Sequence, residues 1–225
     1  MDIKTKIAAS ILTCNLAYLG EAVLAAQAGG ADYLHVDIID GAYGGNYSFG
    51  PKTVQDLKAI ADIPIEVHLE LYEPQHYIKL FADAGADMIT IQADSCACPL
   101  RALNLAKSYG KQAGLGLSPG TGLQMVKYLA PHSDYLIALS VDPGFGGQKL
   151  GASAYEKLGE LKEILQKQDR EIPIFIDGGV NRETAPKLLQ CGADALILGS
   201  ALFPSNDITR EAIIREIQHY KQLEG

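Results

Sequence analysis

One short pattern recurs along the chain: Gly30-Ala31-Asp32-Tyr33-Leu34, Gly85-Ala86-Asp87-Met88-Ile89 and Gly192-Ala193-Asp194-Ala195-Leu196, with Ser133-Asp134-Tyr135-Leu136 as a degenerate fourth copy. Each copy follows a stretch of helical periodicity and opens an apolar run. The Gly suits the residue that ends a helix, two residues turn the chain, and a strand begins. Such repeated punctuation limits the fold more than any other feature. Apolar runs of strand length fall at 7–12, 33–39, 65–71, 88–92, 112–117, 135–141, 174–176 and 195–198. Helical periodicity falls at 19–28, 53–61, 74–84, 99–109, 122–129, 154–168 and 182–190. Alternating helices and strands predict an α/β protein with a parallel sheet and right-handed crossovers. Closure into a (β/α)8 TIM barrel removes both sheet edges; an open doubly wound sheet is the alternative. A chain of 225 residues suits a single barrel domain over 1–225, because such barrels run to about 200–250 residues as one unit.

With 48% hydrophobic and 20% charged residues, the chain can bury a large core. Its formal net charge of −8 offers no general attraction to nucleic acid or anionic lipid. Neither partner is expected, and an anionic ligand must be held by a local site. No apolar run approaches the ~18 residues of a membrane span. Residues Met1 to Lys6 lead straight into a strand-length run, without the apolar core or cleavage site of a signal peptide. Cys14, Cys96, Cys98 and Cys191 lack zinc-finger or CxxC spacing and are read as reduced thiols, so the cytoplasm is the expected compartment.

Four metal-competent side chains, His35, Asp37, His68 and Asp177, each sit late in an apolar run. Residues two apart on a strand share a face, so His35 and Asp37 lie side by side. The active site of a barrel lies where strands end and the βα loops begin, and these four, with Gly199-Ser200, are placed there. Two imidazoles and two carboxylates suit Zn²⁺, Fe²⁺, Mn²⁺ or Co²⁺. The competing view makes the histidines core residues and the aspartates helix caps. Asp37 and Asp177 belong to strands far apart around the barrel, so they could approach one carbon from opposite sides, as inversion beside a carbonyl requires. Glycines in Asp142-Pro143-Gly144-Phe145-Gly146-Gly147-Gln148, Asp177-Gly178-Gly179 and Gly199-Ser200 let backbone N–H groups close on an anion. A phosphorylated substrate is expected. Ser10 could bond a substrate hydroxyl or a neighbouring backbone group. Asp40 reads as a turn or cap residue, His76 and His132 as solvated, and the basic residues between 157 and 170 as an exposed helix face.

The segments His35-Val36-Asp37-Ile38-Ile39-Asp40-Gly41, Val67-His68-Leu69, Ser140-Val141-Asp142-Pro143-Gly144-Phe145-Gly146-Gly147-Gln148 and Ile176-Asp177-Gly178-Gly179 together resemble the ribulose-phosphate 3-epimerase family. The resemblance runs from Ile7 to about Phe203. It implies a barrel with one divalent metal held by His35, Asp37, His68 and Asp177, and Asp37 and Asp177 as the acid/base pair. It further implies Ser10 and His68 at the substrate, and Gly144, Phe145, Gly146, Gly147, Gly178, Gly179, Gly199 and Ser200 around its phosphate. A homo-oligomer is implied as well. The implied reaction interconverts D-ribulose 5-phosphate and D-xylulose 5-phosphate, a step of pentose phosphate metabolism, by two-base proton transfer at C3 through a metal-stabilised ene-diolate.

The departures cluster at the reacting centre. The family usually has methionines where this chain has Ile39, Glu70 and Leu139, His-Ala-Glu where it has Gln92-Ala93-Asp94, and His-Phe-Val-Pro-Asn where it has Ala42-Tyr43-Gly44-Gly45-Asn46. Ile39, Glu70, Gln92 and Leu139 are therefore candidate specificity residues. Glu70 shares the parity of His68 and points toward the mouth; the alternative leaves it above the site in solvent. Inside the pocket it would favour another ketose phosphate, such as a six-carbon allulose 6-phosphate type. A noncatalytic sugar-phosphate binder is a further alternative. A decarboxylase or aldolase would need a Lys at a strand end, and none is there.

Overall fold

In the computed structural model, which describes residues 5–204 and 208–223, parallel strands close into a barrel in chain order. Met1 to Lys4 of the N-terminal segment read above lie outside the described residues. The strands are β1 (Lys6–Ser10), β2 (Tyr33–Ile39), β3 (Ile65–Glu70), β4 (Met88–Gln92), β5 (Gln112–Leu117), β6 (Tyr135–Leu139), β7 (Ile174–Asp177) and β8 (Ala195–Leu198). The helices are α1 (Leu19–Gly29), α2 (Pro51–Lys58), α3 (Ile78–Ala84), α4 (Pro99–Ser108), α5 (Val126–Leu129), α6 (Ala154–Leu165), α7 (Ala185–Gln190) and α8 (Arg210–Tyr220). The (β/α)8 TIM barrel is the observed fold, and the open sheet is excluded.

The repeated Gly-Ala-Asp acts through both its Gly and its Asp. Gly30, Gly85 and Gly192 have φ of 93°, 108° and 109°, the left-handed geometry that ends a helix without a Cβ penalty. Asp32, Asp87, Asp134 and Asp194 then each accept, at 2.8 to 2.9 Å, from the first free backbone N–H of the preceding strand: Ile7, Ile65, Ala113 and Ile174. Lys221, Lys58, Lys107 and Lys162 pair with these same carboxylates. The repeat thus staples the lower rim of the barrel, the end that carries stability rather than chemistry.

Several boundaries differ from expectation. β1 and β6 stop at Ser10 and Leu139 rather than at 12 and 141. The segment 74–84 splits into a 3-10 turn at Pro74–His76 and α3, and 122–129 splits likewise before α5. α7 starts at Ala185 because the Asn181 side chain accepts from Glu183 and Thr184 and closes the preceding turn. α8 was not among the expected segments; Thr209 caps it by accepting from Ala212, and Gly29 of α1 lets Ile214 and Ile217 approach closely.

Alternation divides the core in two. Leu34, Val36 and Ile38 face outward to a large shell under the helices, whereas Ala8, Met88, Tyr135, Ile137, Leu139, Phe175, Ala195 and Ile197 fill the barrel interior. Lys157 corrects the exposed-face reading of its segment. It is only 9% exposed, and its Nζ donates to the carbonyls of Ser118, Pro119 and Thr121 in the loop after β5.

Candidate active site

The inward positions of β2 and β3 are polar at successive levels. Strand register sets His35 beside Glu66, Asp37 beside His68, and Ile39 beside Glu70. On the other flank of β2, Ser10 pairs with His35. His35 corrects the strand-end expectation: it is in the middle of β2, fully enclosed, with Asp37 one level above it.

His35 Nε2 lies 2.7 Å from Asp37 Oδ1 and 3.9 Å from Asp177 Oδ2. His68 Nδ1 lies 3.7 Å from both Asp37 Oδ1 and Glu70 Oε1, while its Nε2 meets Gln92 Oε1 at 2.8 Å. One ligand-capable atom from each of His35, Asp37, His68 and Asp177 fits within a mutual 4.8 Å. Buried His68 Nδ1 has no hydrogen-bond partner among the described residues. An unpartnered imidazole nitrogen facing two carboxylates, in a two-His, two-Asp set, fits a divalent cation.

These groups perturb one another. Burial opposes charge on His35, but Asp37 and Glu66 outweigh it and raise its pKa well above the usual value. Burial would raise Asp37, yet His35, His68 and the Ser10 hydroxyl bring it below the ordinary carboxylate range. Asp177 moves the other way: burial, opposed by His35 and reinforced by Asp37, pushes it up to about 7. Burial and the charges of Asp37 and Asp177 also raise Glu70 well above its ordinary value, and burial lowers His68. Neighbouring carboxylates held at separated pKa values are a sign of acid/base function.

A pocket of about 540 Å³, solvent mouth included, is lined by Ser10, Asp37, Glu70, Leu139, Asp177 and the glycine turns Gly144 to Gly147, Gly178-Gly179 and Gly199-Ser200, with Phe145 at its rim. Gly144 (φ 121°) and Gly179 (φ 65°) are left-handed, and a Cβ would stand 1.8 Å from Gly44 O and 2.2 Å from Leu150 N respectively. Those turns therefore need glycine. Asn46 Nδ2 donates to Gly144 O at 2.8 Å, tying the loop after β2 to the loop after β6 across the mouth.

Some candidates sit elsewhere than expected. Ser10 donates to Asp37 Oδ2 at 3.1 Å, so its partner is a side chain rather than the backbone. Glu70 is 2% exposed, which removes the solvated alternative. Gln92 lies behind His68, and Ile39 packs against Gly44; neither lines the pocket. Asp40 accepts from the N–H groups of Ala42, Tyr43 and Tyr72, in keeping with a turn residue.

Glu66 was missed. It is 1% exposed, accepts from Thr90 and Tyr135, and brings Oε2 to 2.5 Å from His35 Nδ1. The approach is oblique to the ring N–H, a charge contact rather than an aligned hydrogen bond. The period-two run Glu66-Val67-His68-Leu69-Glu70 could have disclosed it.

A family model described as the ribulose-phosphate 3 epimerase family matches residues 6–203. A ribulose-phosphate 3-epimerase of Bacillus subtilis (strain 168) is 38% identical over 217 residues, covering 96% of this chain and 99% of that protein. A chloroplastic ribulose-5-phosphate-3-epimerase of Arabidopsis thaliana is 37% identical, covering 89% and 72%. Among solved structures, a tryptophan synthase alpha-subunit mutant of Pyrococcus furiosus superposes with a TM-score of 0.70 at 16% identity, covering 99% and 98% of the two chains. A thiamine phosphate pyrophosphorylase of Pyrococcus furiosus does so at 0.62 and 17%, covering 97% and 98%. At such identity these structures share the fold alone.

Proposed function

Because the chain belongs to the ribulose-phosphate 3-epimerase family and is an isomerase, we infer that it interconverts D-ribulose 5-phosphate and D-xylulose 5-phosphate, with Asp37 removing the C3 proton and Asp177 delivering another, and the roles reversed in the opposite direction. The observation that carries this is the placement of two carboxylates from separate strands, β2 and β7, at 2.7 and 3.9 Å from His35 Nε2 and in the lining of one pocket. Asp37, held ionised, takes the C3 proton as base; the C–H electron pair moves toward the C2 carbonyl and forms an ene-diolate. Asp177 returns a proton to C3 from the other side; in the ion-free protein burial pushes its pKa up to about 7. His35, Asp37, His68 and Asp177 would hold a divalent cation, which when bound would supply Lewis-acid stabilisation of developing negative charge. Ser10 keeps the Asp37 carboxylate oriented. The backbone N–H groups of the glycine turns hold the phosphate, and the crossing loops tied by Asn46 limit water.

Turnover in D₂O tests the assignment. Ribulose 5-phosphate should gain deuterium at C3 with Zn²⁺-, Mn²⁺-, Fe²⁺- or Co²⁺-loaded protein; epimerisation without solvent exchange would sink the two-base scheme.

Glu70 favours a second substrate. A buried carboxylate among two others needs a hydroxyl, cation or proton, so a hexulose 6-phosphate of the allulose type, with one more hydroxyl, is the alternative. Glu70→Met should move preference from hexulose toward pentulose phosphate by about tenfold, roughly the value of one charge-assisted hydrogen bond. An unchanged ratio across the panel would remove Glu70 from the sugar.

A further inference from the structure

Behind His68 a chain of hydrogen bonds leads to one carboxylate. Asp94, in the turn after β4, accepts from Tyr43 Oη at 2.6 Å, Ser118 Oγ at 2.8 Å and Thr121 Oγ1 at 2.8 Å. Burial would raise its pKa, but the bonds from Tyr43, Thr121 and Ser118 outweigh this and keep it lowered; an ionised carboxylate accepts and cannot donate. Ser118 Oγ lies 3.1 Å from Tyr43 Oη and 2.8 Å from Asp94, and gives its single proton to Asp94, the nearer and charged acceptor. Its oxygen can then only accept, and the group facing it at 2.7 Å is Gln92 Nε2. With the amide nitrogen so placed, Gln92 Oε1 must be the atom that meets His68 Nε2 at 2.8 Å. An amide oxygen accepts, so His68 Nε2 carries the proton and Nδ1 of the neutral ring is a lone pair.

The backbone makes room for this pair. A Cβ on Gly116 of β5 would stand 2.4 Å from Gln92 Oε1 and 2.7 Å from His68 Nε2, although the residue needs no left-handed geometry. Glycine is required there for space. Lys157 holds the loop that carries Ser118 by bonding the Ser118 carbonyl.

We propose that Gln92 is a positioning residue: its amide, aligned by Ser118 and Asp94, holds His68 as the Nε2–H tautomer and turns the Nδ1 lone pair toward Asp37, where a divalent cation binds. The cation part rests on the metal reading given under Proposed function; the tautomer part does not. Metal ligands commonly depend in this way on the partner of the other ring nitrogen, and loss of the partner costs 10- to 100-fold in affinity.

Two measurements on the full chain test it. Nitrogen-15 spectra of histidine-labelled, metal-free protein should place the His68 proton on Nε2, and a proton on Nδ1 or a rapid mixture overturns the proposal. Zn²⁺ affinity, measured by competition with a chromophoric chelator, should fall about 10- to 100-fold in Gln92→Leu. It should return to within about threefold of wild type in Gln92→Glu, whose carboxylate also accepts from Nε2; a merely structural role would predict no such rescue. Equal affinity for wild type and Gln92→Leu overturns the proposal. Should Gln92→Leu fail to fold, Ser118→Ala, which removes the alignment without touching His68, takes its place with an expected loss of at least threefold, and an unchanged affinity there overturns the proposal. A wild type that binds no Zn²⁺ defeats the metal reading and with it the cation part, while the metal-free spectrum still decides the tautomer.

Discussion

The two walls of the barrel interior are built from opposite materials. From β2 to β4 the inward residues include His35, Asp37, Glu66, His68, Glu70, Thr90 and Gln92, all buried. From β6 to β8 they are Tyr135, Ile137, Leu139, Phe175, Ala195 and Ile197, a compact apolar cluster. Asp177, at the end of β7, is the one acid that the apolar wall lends to the site, and the glycine turns crown that same wall. The ionisable wall concentrates chemistry at a cost in desolvation, whereas the apolar wall supplies cohesion and a rigid base for an anion site. Under the proposed function, phosphate binding belongs to the apolar half, and proton transfer spans both, with Asp37 on one wall and Asp177 at the end of the other.

The largest expected effect tests this division at Asp177. Asp177→Asn should lower kcat by about 10³-fold, in the range of general acid–base contributions, with KM for the sugar phosphate changed by less than about fivefold. A large KM change with kcat preserved would move Asp177 from the chemistry to binding. On the apolar wall, Phe175 is 3% exposed and packs against Tyr135 and Tyr33 with ring centroids 5.2 and 5.4 Å away. Phe175→Ala should cost about 3–5 kcal/mol in denaturant unfolding, with kcat of the folded fraction within about tenfold. Activity lost without loss of stability would break the division.

The smallest effect concerns pH. Asp177, Glu70 and His35 all have raised pKa values, so the folded state binds more protons than the unfolded one above the unfolded carboxylate range. Stability of metal-free protein should then fall as pH rises. For Asp177 the window runs from the ordinary aspartate value of 3.8 to about 7. The lowered Asp37 acts below its ordinary value of 3.8, outside the interval, and the lowered His68 alone opposes the trend, so Tm of the metal-free protein should fall between about pH 4.5 and 7.5. Zn²⁺ should abolish the slope, and a metal-free Tm that rises over this interval would contradict the arrangement of charges.

Legibility followed the range of the interactions. β2, β4, β5 and β8 were read with their observed bounds, because each is an apolar run closed by local turn signals. The pairing of His35 with Asp37 on one face follows from strand parity. Lys157 was misread because the helix pattern does not reveal that the loop after β5 folds back over its side chain. The repeat aspartates read as turn residues, yet each one's partner is a backbone N–H 20 to 25 residues earlier in the chain.

Local periodicity and turn chemistry were enough, by themselves, to establish the alternation of strands and helices, the inward parity of His35, Asp37, His68 and Glu70, and the glycine turns beside the pocket, since each depends on residues within a few positions of one another. Only barrel closure decided that Glu66 lies under His35, that Gln92 stands behind His68, that Glu70 is buried with Asp37 and Asp177, and that Asn46 reaches Gly144. Those contacts depend on strand stagger and on which loops meet across the mouth, and both are set by packing of the whole sheet rather than by any one segment.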